Sequence, residues 1–442
     1  MEPSEVQQYR RPTDRSVIFD DKYGSVEEQR AQTTLLFGGL TPRHERLLEA
    51  AVRGLGYRCQ ALPTPDIVSF ELGKEFGNNA YCNPAYFTGG NLLKYLRQQE
   101  DSGISKQEIL EKYAFLTAGY RGPCRFGLYE EEVRTVLRNA GFEDLRIELI
   151  NIAAGLEQDQ SEVVVRMDAD FILALVNAVI MADVLGQLEY QIRPYEIEAG
   201  ATDRIFNEVL DDLHDALQVK QSYEMPPRLR EALDFVKFGK AGNLISKLIH
   251  VLTTPYYTEV LQNARAKIDT IRMDRFRVRP IVKIIGEFSA AVAEGDMNFH
   301  MFRFLEGEGA EVLLEAAIST QLLRWVHLAR FKLKDRKGLY AWGTKPHFWQ
   351  LNRRLKHRLD YLKKAGLLSL TDRLYHKQCA RYQQALGCAV EELADFQELA
   401  DVALPHYNWR CGAGETHLEV AHSILAHRHN QCHMALSLKP FG

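Results

Sequence analysis

The stretch that most constrains the fold is a strand, a helix and a second strand in close succession. The apolar run TTLLFGGL (33–40) ends in Gly38-Gly39, and Thr41-Pro42 then supplies a helix N-cap with a first-turn proline. Apolar side chains recur at helical spacing until Gly54, and YRCQALP (57–63) follows as a strand. This order predicts a parallel sheet with helices on its faces. Gly38-Gly39 lacks the full GxGxxG spacing, which favours a tight turn over a phosphate cradle.

A second segment with the same character begins at VRPIVKIIGEFS (278–289). It predicts a strand over Ile281–Ile285, a helix over 294–309, and another strand over 310–316. The stretch from about 320 to 400 is helical and basic, and HMALSLKPFG (433–442) is a final strand. The basic run indicates either a solvated helix face or a surface for an acidic or phosphate-bearing partner.

The predicted fold class is therefore α/β, with two Rossmann-like parallel-sheet domains and a helical segment between them. The predicted divisions are a flexible N-terminal arm (1–30), a first α/β domain (31–150), a helical segment (151–271) and a second α/β domain (272–442). No internal repeat of fixed period is present.

Composition excludes several classes of protein. The 442 residues are 46% hydrophobic and carry a net charge of −4, which argues against disorder and gives no footprint for nucleic acid or an anionic membrane. The most apolar stretch, Phe171 to Leu185, contains Asn177 and Asp183 and predicts a buried helix rather than a membrane span. The N-terminus has no apolar signal region, so the expected location is the cytoplasm.

Seven cysteines are present, and two of them lie in unusual surroundings. Cys82 lies in FGNNAYCNPAYFTGGN and Cys124 in AGYRGPCRFGLYEEE, each on a tight loop before a helix. Backbone N–H groups at a helix entrance favour a thiolate, and thiolates on such loops are common ligands of iron–sulfur clusters. The alternative is that both are ordinary loop cysteines, because no CxxC pair supports a metal site by spacing. The other five are Cys59, Cys379, Cys388, Cys411 and Cys432.

Several segments resemble a known family. The blocks YCNPAYFTGGNLLKYL, RGPCRFGLYE, IRPYEIEAGATD, PIVKIIGEF and LSLKPFG occur in the same order as in the dehydratase-component-like region of the 2-hydroxyacyl-CoA dehydratase and activase-related family. That family also includes large fusion proteins in which an ATP-dependent activase precedes such a region. The resemblance extends from about residue 33 to the end of the sequence.

The resemblance implies a 4Fe-4S cluster held by three cysteines, of which Cys82 and Cys124 match the first two. The family's third cysteine directly follows a Pro-Phe-Gly like Pro440-Phe441-Gly442, where the sequence ends. Cys411 and Cys432 are alternatives outside the matching motif. Asn83, Thr88 and Asn91 would line the edge of the cluster. A cysteine encoded after Gly442 would favour the enzyme, and a stop codon a non-catalytic scaffold.

The implied activity is acceptance of a low-potential electron from an ATP-dependent activase, separate or fused upstream, for radical dehydration or reduction of a small substrate such as an acyl-CoA. A homo- or heterodimer is expected. Two alternatives are a scaffold or regulatory domain that has lost the cluster, and a double-cubane-type reductase or electron carrier.

Weaker candidates come from the residues themselves. Glu287 follows a predicted strand and either faces the cleft or caps the next helix. Glu415 reads as a first-turn carboxylate. Arg193-Pro194-Tyr195-Glu196 reads as a helix terminator with a buried tyrosine. The C-terminal segment offers a metal site through His429 and Cys432, or a helix with satisfied polar histidines; its other histidines are His417, His422, His427 and His433.

Overall fold

In a computed structural model, the chain forms two parallel β-sheets with helices around and between them. The structure describes residues 31–119, 124–151, 165–166, 168–219, 227–228, 231, 246–247, 249–335, 347, 349–387, 393–408 and 416–439. The predicted arm over 1–30 and the residues Cys388, Cys411, Glu415 and Pro440-Phe441-Gly442 lie outside these ranges. The α/β class is confirmed.

The first sheet has four strands in the order β2-β1-β3-β4, all parallel. The strands are β1 (Thr34–Phe37), β2 (Arg58–Ala61), β3 (Tyr113–Gly119) and β4 (Arg146–Asn151). The helices are α1 (Pro42–Gly54), α2 (Ile67–Phe76), α3 (Asn83–Asp101), α4 (Lys106–Lys112) and α5 (Tyr129–Asn139). As predicted, Thr41 caps α1, where its hydroxyl oxygen accepts the N–H of His44 at 3.2 Å.

Both faces of this sheet are covered. Leu36 and Phe115 belong to one apolar cluster with α3, α4 and α5, whereas their neighbours Leu35 and Ala114 belong to another that includes Phe171. Side chains alternate between the faces of a strand, so apolar residues at successive positions require cover on both sides. The strands of this sheet are apolar at successive positions because helices and apolar clusters cover both of its faces.

A helical block follows, as the sequence predicts. Its helices are α6 (Ala169–Ile192), α7 (Ala201–Gln218) and α8 (Tyr256–Ile268). Helix α6 contains the apolar stretch and is buried almost throughout. Among the described residues, Ala169–Tyr195 is the one helical stretch long and apolar enough to cross a membrane, and 78% of its apolar window is buried inside the structure.

The second sheet has three parallel strands in the order β6-β5-β7. They are β5 (Ile281–Gly286), β6 (Glu311–Leu313) and β7 (Met434–Leu438). The helices are α9 (Phe288–Val292), α10 (Met301–Gly307), α11 (Ala317–Asp335), α12 (Leu351–Leu386), α13 (Phe396–Ala403) and α14 (Thr416–Arg428).

Two sequence predictions are wrong in detail. The helix expected over 294–309 is a 3₁₀ turn at Gly295–Asn298 followed by the short helix α10. Phe299 and His300 separate them because both have left-handed backbone conformations, with φ of 58° and 52°, which an α-helix cannot continue through. Tyr195 is half-buried rather than buried, because its hydroxyl reaches outward and donates to Glu311 at 2.6 Å.

A buried ion network connects the three predicted segments. Arg43 of α1 pairs with Glu189 of α6 at 2.5 Å and with Glu294 of the second α/β segment. Arg193, at the end of α6, pairs with Glu189 and with Glu306 at 3.1 Å. Burial opposes the ionisation of Glu294, but the neighbouring Arg43 outweighs this effect and lowers the pKa of that carboxyl. Each buried charge is therefore compensated across a segment boundary.

Candidate functional site

In each sheet the strand order changes direction next to the first strand, which gives a topological switch point at the carboxyl ends of the strands. In the order β2-β1-β3, the connections from β1 and β3 leave towards opposite sides, and ligands of open α/β sheets bind outside such a switch point. Cys124 lies in the connection after β3. In the second sheet β5 lies between β6 and β7, and Glu287 directly follows β5. Both switch points thus hold a residue that the sequence singled out.

Cys82 is the N-cap residue of α3, and its thiol does not cap the helix. The side chain is buried, with 4% of the residue exposed. Its Sγ lies 3.0 Å from Oη of Tyr129, the first residue of α5. A phenol is a stronger donor than a thiol, so the expected direction of this hydrogen bond is from Tyr129 to the sulfur.

The loop that carries Cys82 is held by two side chains. The Glu132 carboxylate of α5 accepts hydrogen bonds from both the backbone N–H and the side-chain amide of Asn78, each at 2.7 Å. The Tyr86 hydroxyl of α3 accepts the N–H of Tyr81 and donates to the carbonyl of Asn78, both at 2.8 Å. The thiol position is therefore fixed against two helices at once.

The Cys124 loop contacts the Cys82 loop directly. Cys124 is the N-cap residue of the 3₁₀ turn Arg125–Leu128. The next residue, Arg125, donates to the carbonyl of Ala80 at 2.8 Å, and its guanidinium lies 5.9 Å from the centre of the Tyr81 ring. The residues that flank the two cysteines are thus in contact, and both thiol-bearing loops share one edge.

The pKa values of two tyrosines beside the cysteines, Tyr129 and Tyr81, are raised. Burial, followed by the nearby Cys82, Glu287 and Cys124, raises the pKa of Tyr129 far above its ordinary value. The phenol therefore stays protonated and remains a donor at every physiological pH. Burial, Glu132 and the two cysteines together raise the pKa of Tyr81 to about 12, although Arg125 opposes them.

Glu287, which follows β5 of the second sheet, is one of the groups that raise the pKa of Tyr129. Its carboxylate caps α9 by accepting the N–H of Ser289 at 2.9 Å, and its own N–H donates to the carbonyl of Leu438 at 3.0 Å. It also acts on the Tyr129 hydroxyl. Of the two alternatives for Glu287, the structure shows the helix cap, and its role at a ligand site stays a prediction.

The three polar residues expected beside the cysteines differ in position. Asn83 is the half-buried first residue of α3, directly after Cys82. The Thr88 hydroxyl donates to the carbonyl of Pro84 at 2.7 Å, within its own helix. The Asn91 amide donates to the carbonyl of Pro63 at 2.7 Å, which ties α3 to the loop after β2. Asn83 is therefore the one nearest to the thiol in the chain, and the other two make structural contacts.

The segment Pro440-Phe441-Gly442, after which the resemblance places a third cysteine, lies outside the described residues. Strand β7 ends at Leu438 in register with Gly286, so the chain leaves this sheet at the edge where Glu287 lies. Cys432 precedes β7 and is at the opposite edge, roughly 17 Å away for a five-residue strand. Helix α14 ends at Arg428, so His429 and Cys432 are not one helical turn apart. Among the described residues, no group of three or more His, Cys, Asp or Glu side chains could hold a metal ion.

The C-terminal histidines have separate environments. His422 Nε2 lies 3.2 Å from a Glu315 carboxylate oxygen beside a small cavity of about 40 Å³ that also touches Gly286 and Phe288. Burial and the charge of Arg324 lower the pKa of His417 to about 4, so this imidazole is neutral at physiological pH. His433 accepts the N–H of Ile281 at 2.9 Å. His422 and Glu315 were not singled out together because they are far apart in sequence.

Tyr129 and Glu132 are two further residues of the site that the sequence does not predict. They follow Cys124 by five and eight residues, and Glu132 belongs to an EEE run that is typical of a solvated helix face. The chain matched none of the protein-family models, curated proteins or solved structures with which it was compared. The geometry of the site therefore has to support any functional statement.

Proposed function

We propose that this chain is an iron–sulfur protein in which Cys82 and Cys124 bind a 4Fe-4S cluster at the carboxyl edge of the first sheet. In this proposal the protein resembles the 2-hydroxyacyl-CoA dehydratase component. It accepts a low-potential electron from an ATP-dependent activase and uses it to dehydrate or reduce a small substrate. The observation that carries the proposal is the contact between the two thiol-bearing loops, whose cysteines are 42 positions apart in the sequence.

The chemistry of the donor set supports this assignment. Both cysteines occupy N-cap positions, where the backbone N–H groups of the following turn are available as hydrogen-bond donors. Tyr129 adds a hydroxyl donor to Cys82. Donors of this kind also stabilise the sulfides of a cluster, and they make its reduction easier. These residues therefore suit a negatively charged group of sulfur and iron.

The folds around the site support the same proposal. The strands of each sheet are parallel, and the order β2-β1-β3-β4 matches the first four strands of the flavodoxin-like doubly wound sheet. We therefore propose two Rossmann-like units, one for each sheet. The contribution of Glu287 in the second unit to the raised pKa of Tyr129 in the first supports a position of the two carboxyl ends near one another.

A bound cluster would supply one-electron chemistry and, with three protein ligands, an open iron position for a substrate oxygen. The chain's own residues have other tasks. Tyr129 holds a hydrogen bond on the Cys82 sulfur, Glu132 fixes the loop beneath it, and Glu287 places a carboxylate at the crevice. Burial of Cys82 limits the access of water to this sulfur.

The decisive experiment measures iron and acid-labile sulfide in anaerobically reconstituted protein, with an EPR spectrum after reduction by dithionite. The unaltered chain should bind roughly four iron atoms. Cys82→Ala and Cys124→Ala should each lose most of this iron and the associated EPR signal, because each removes a ligand.

The matched control is Cys432→Ala, which removes a partly exposed thiol at the opposite edge of the second sheet and should leave the iron content unchanged. Equal iron in all four proteins would contradict the assignment of Cys82 and Cys124. If no sample binds iron, the chain is instead a scaffold that has kept the fold.

A further inference from the structure

The N-terminal two thirds of α12 lie at the surface of the protein. The helix has 36 residues, but its first buried residue is Tyr375, and none of the residues 351–374 is buried. At 1.5 Å per residue, this unburied part is roughly 36 Å long. The C-terminal third is anchored, because Tyr375, Cys379 and Tyr382 belong to the largest apolar cluster.

Four leucines form a line along the first 12 residues of α12. Leu351, Leu355, Leu359 and Leu362 are 69%, 57%, 48% and 54% exposed. Successive residues of a helix are rotated by about 100°, so the four side chains fall within an arc of about 80°. We call this line the leucine seam. An exposed apolar line of this length is typical of a surface that is covered in a complex.

Positive charge surrounds the leucine seam. Residues 351–364 contain six lysine and arginine side chains and a single acidic one, Asp360, in a chain whose net charge is −4. The helical rotation places Arg354 and Arg358 on one flank of the seam and Lys356 on the other. The basic residues are Arg353, Arg354, Lys356, Arg358, Lys363 and Lys364.

The narrow apolar line and its positive flanks indicate which kind of molecule can cover the leucine seam. A second copy of the same helix would bring two positive flanks together, which repel each other. A helix that lies on a membrane needs an apolar face wider than about 100°, whereas a narrower line is typical of pairing with another helix. The occupant that fits both the narrow apolar line and the positive flanks is a helix of a different protein, apolar along one line and acidic beside it.

We propose that the leucine seam of α12 is a docking site for an acidic amphipathic helix of a partner protein. The neighbouring groove supports this assignment. A cavity of about 180 Å³ opens between α11 and α12, with Arg330, Lys334 and Tyr361 in its lining. It offers room and positive charge for acidic side chains at the border of the docked helix.

The test uses fluorescence anisotropy with a labelled synthetic 21-residue helical peptide that has leucines spaced like the seam and glutamates on both flanks. The double variant Leu355→Ser/Leu362→Ser should bind this peptide at least about tenfold more weakly than the unaltered chain. Affinity should also fall when NaCl is raised from about 50 mM to about 500 mM, because exposed charges are screened. Circular dichroism should show unchanged folding, since both leucines are exposed.

Three controls make the result decisive. Leu404→Ser removes an equally exposed leucine on a different helix end and should leave peptide binding unchanged. A scrambled peptide of the same charge without the leucine line should bind at least about tenfold more weakly. Equal binding of both peptides, or binding of phosphatidylserine vesicles by the unaltered chain but not by the double variant, would overturn the proposal. The docking site does not depend on iron, so its failure leaves the proposed function untouched.

Discussion

The two sheets are built from parallel strands but differ in how well they are covered. In the first sheet, Leu36 and Phe115 on one face and Leu35 and Ala114 on the other are all within 2% of complete burial. In the second sheet, β7 has no buried residue, and Met434 is 47% exposed. The first sheet can therefore act as a rigid base for the two thiol loops. The second presents its carboxylate from a smaller sheet with an open edge strand.

The largest expected effect compares one core residue from each sheet. Phe115→Ala should lower the free energy of unfolding by about 4 kcal/mol, because it leaves a cavity in a core packed on all sides. Leu436→Ala in β7 should cost about 1 kcal/mol, since that side chain is only half-buried. Urea denaturation followed by circular dichroism measures both. Equal losses would show that the second sheet is as tightly packed as the first.

Glu45, near the first sheet, and His417, near the second, should change the stability of the protein in opposite directions as the pH rises. Burial raises the pKa of Glu45, beside the loop after β1, to about 7, although the N–H groups of Gly39 and Leu40 favour its ionised form. The folded state therefore prefers the protonated acid, so its stability falls as the pH rises from 4.5 to 7. Glu45→Gln should remove about 3 kcal/mol of this fall.

His417, next to the second sheet, should act in the opposite direction. Its pKa is lowered to about 4, so the folded state prefers the neutral imidazole and loses stability as the pH falls from 6.5 towards 4. His417→Gln should reduce that acid-side loss. Denaturation midpoints across this range check both variants, and a wild-type curve parallel to that of Glu45→Gln would contradict the assignment to Glu45.

The smallest effect compares two carboxylates of α5, one that holds the Cys82 loop and one that does not. Glu132→Ala removes both hydrogen bonds to Asn78 and should loosen the Cys82 loop by about 2 kcal/mol, which makes alkylation of Cys82 by iodoacetamide roughly thirtyfold faster. Glu130→Ala breaks only a surface pair with Arg134 and should change this rate less than about threefold. Mass spectrometry of the labelled Cys82 peptide measures the rates. Similar rates in the two variants would show that Glu132 does not hold the loop.

Much of the fold was readable because local signals agreed with the tertiary structure. The strand at 33–40, the cap at Thr41 and the strand at 281–285 were all predicted, since apolar runs and turn residues mark their limits. Strand β3 is not predicted from the sequence. It begins at Tyr113 directly after Lys112, the last residue of α4, and no turn residue marks the boundary between them. Phe299 and His300 interrupt a helical pattern through backbone conformations that composition does not reveal.

The site was predictable only in part, because local sequence signals mark some of its residues and not others. Loop glycines and prolines mark Cys82 and Cys124, and the strand before Glu287 marks its edge. Tyr129 and Glu132 carry no such signal, because their roles depend on contacts with residues about 50 positions earlier in the chain. Spatial partners at that distance leave no periodic trace in a single sequence.

The network around Arg43 determines how far this protein can be divided. Arg43 precedes both predicted domain boundaries, near residues 150 and 271, whereas Glu189 lies between them and Glu294 beyond the second. A fragment cut at either boundary would expose a core surface in which an ionised side chain has lost its counter-charge. Expression of the isolated halves should therefore give poorly soluble material, and the complete chain is the smallest unit in which both sheet edges can be studied together.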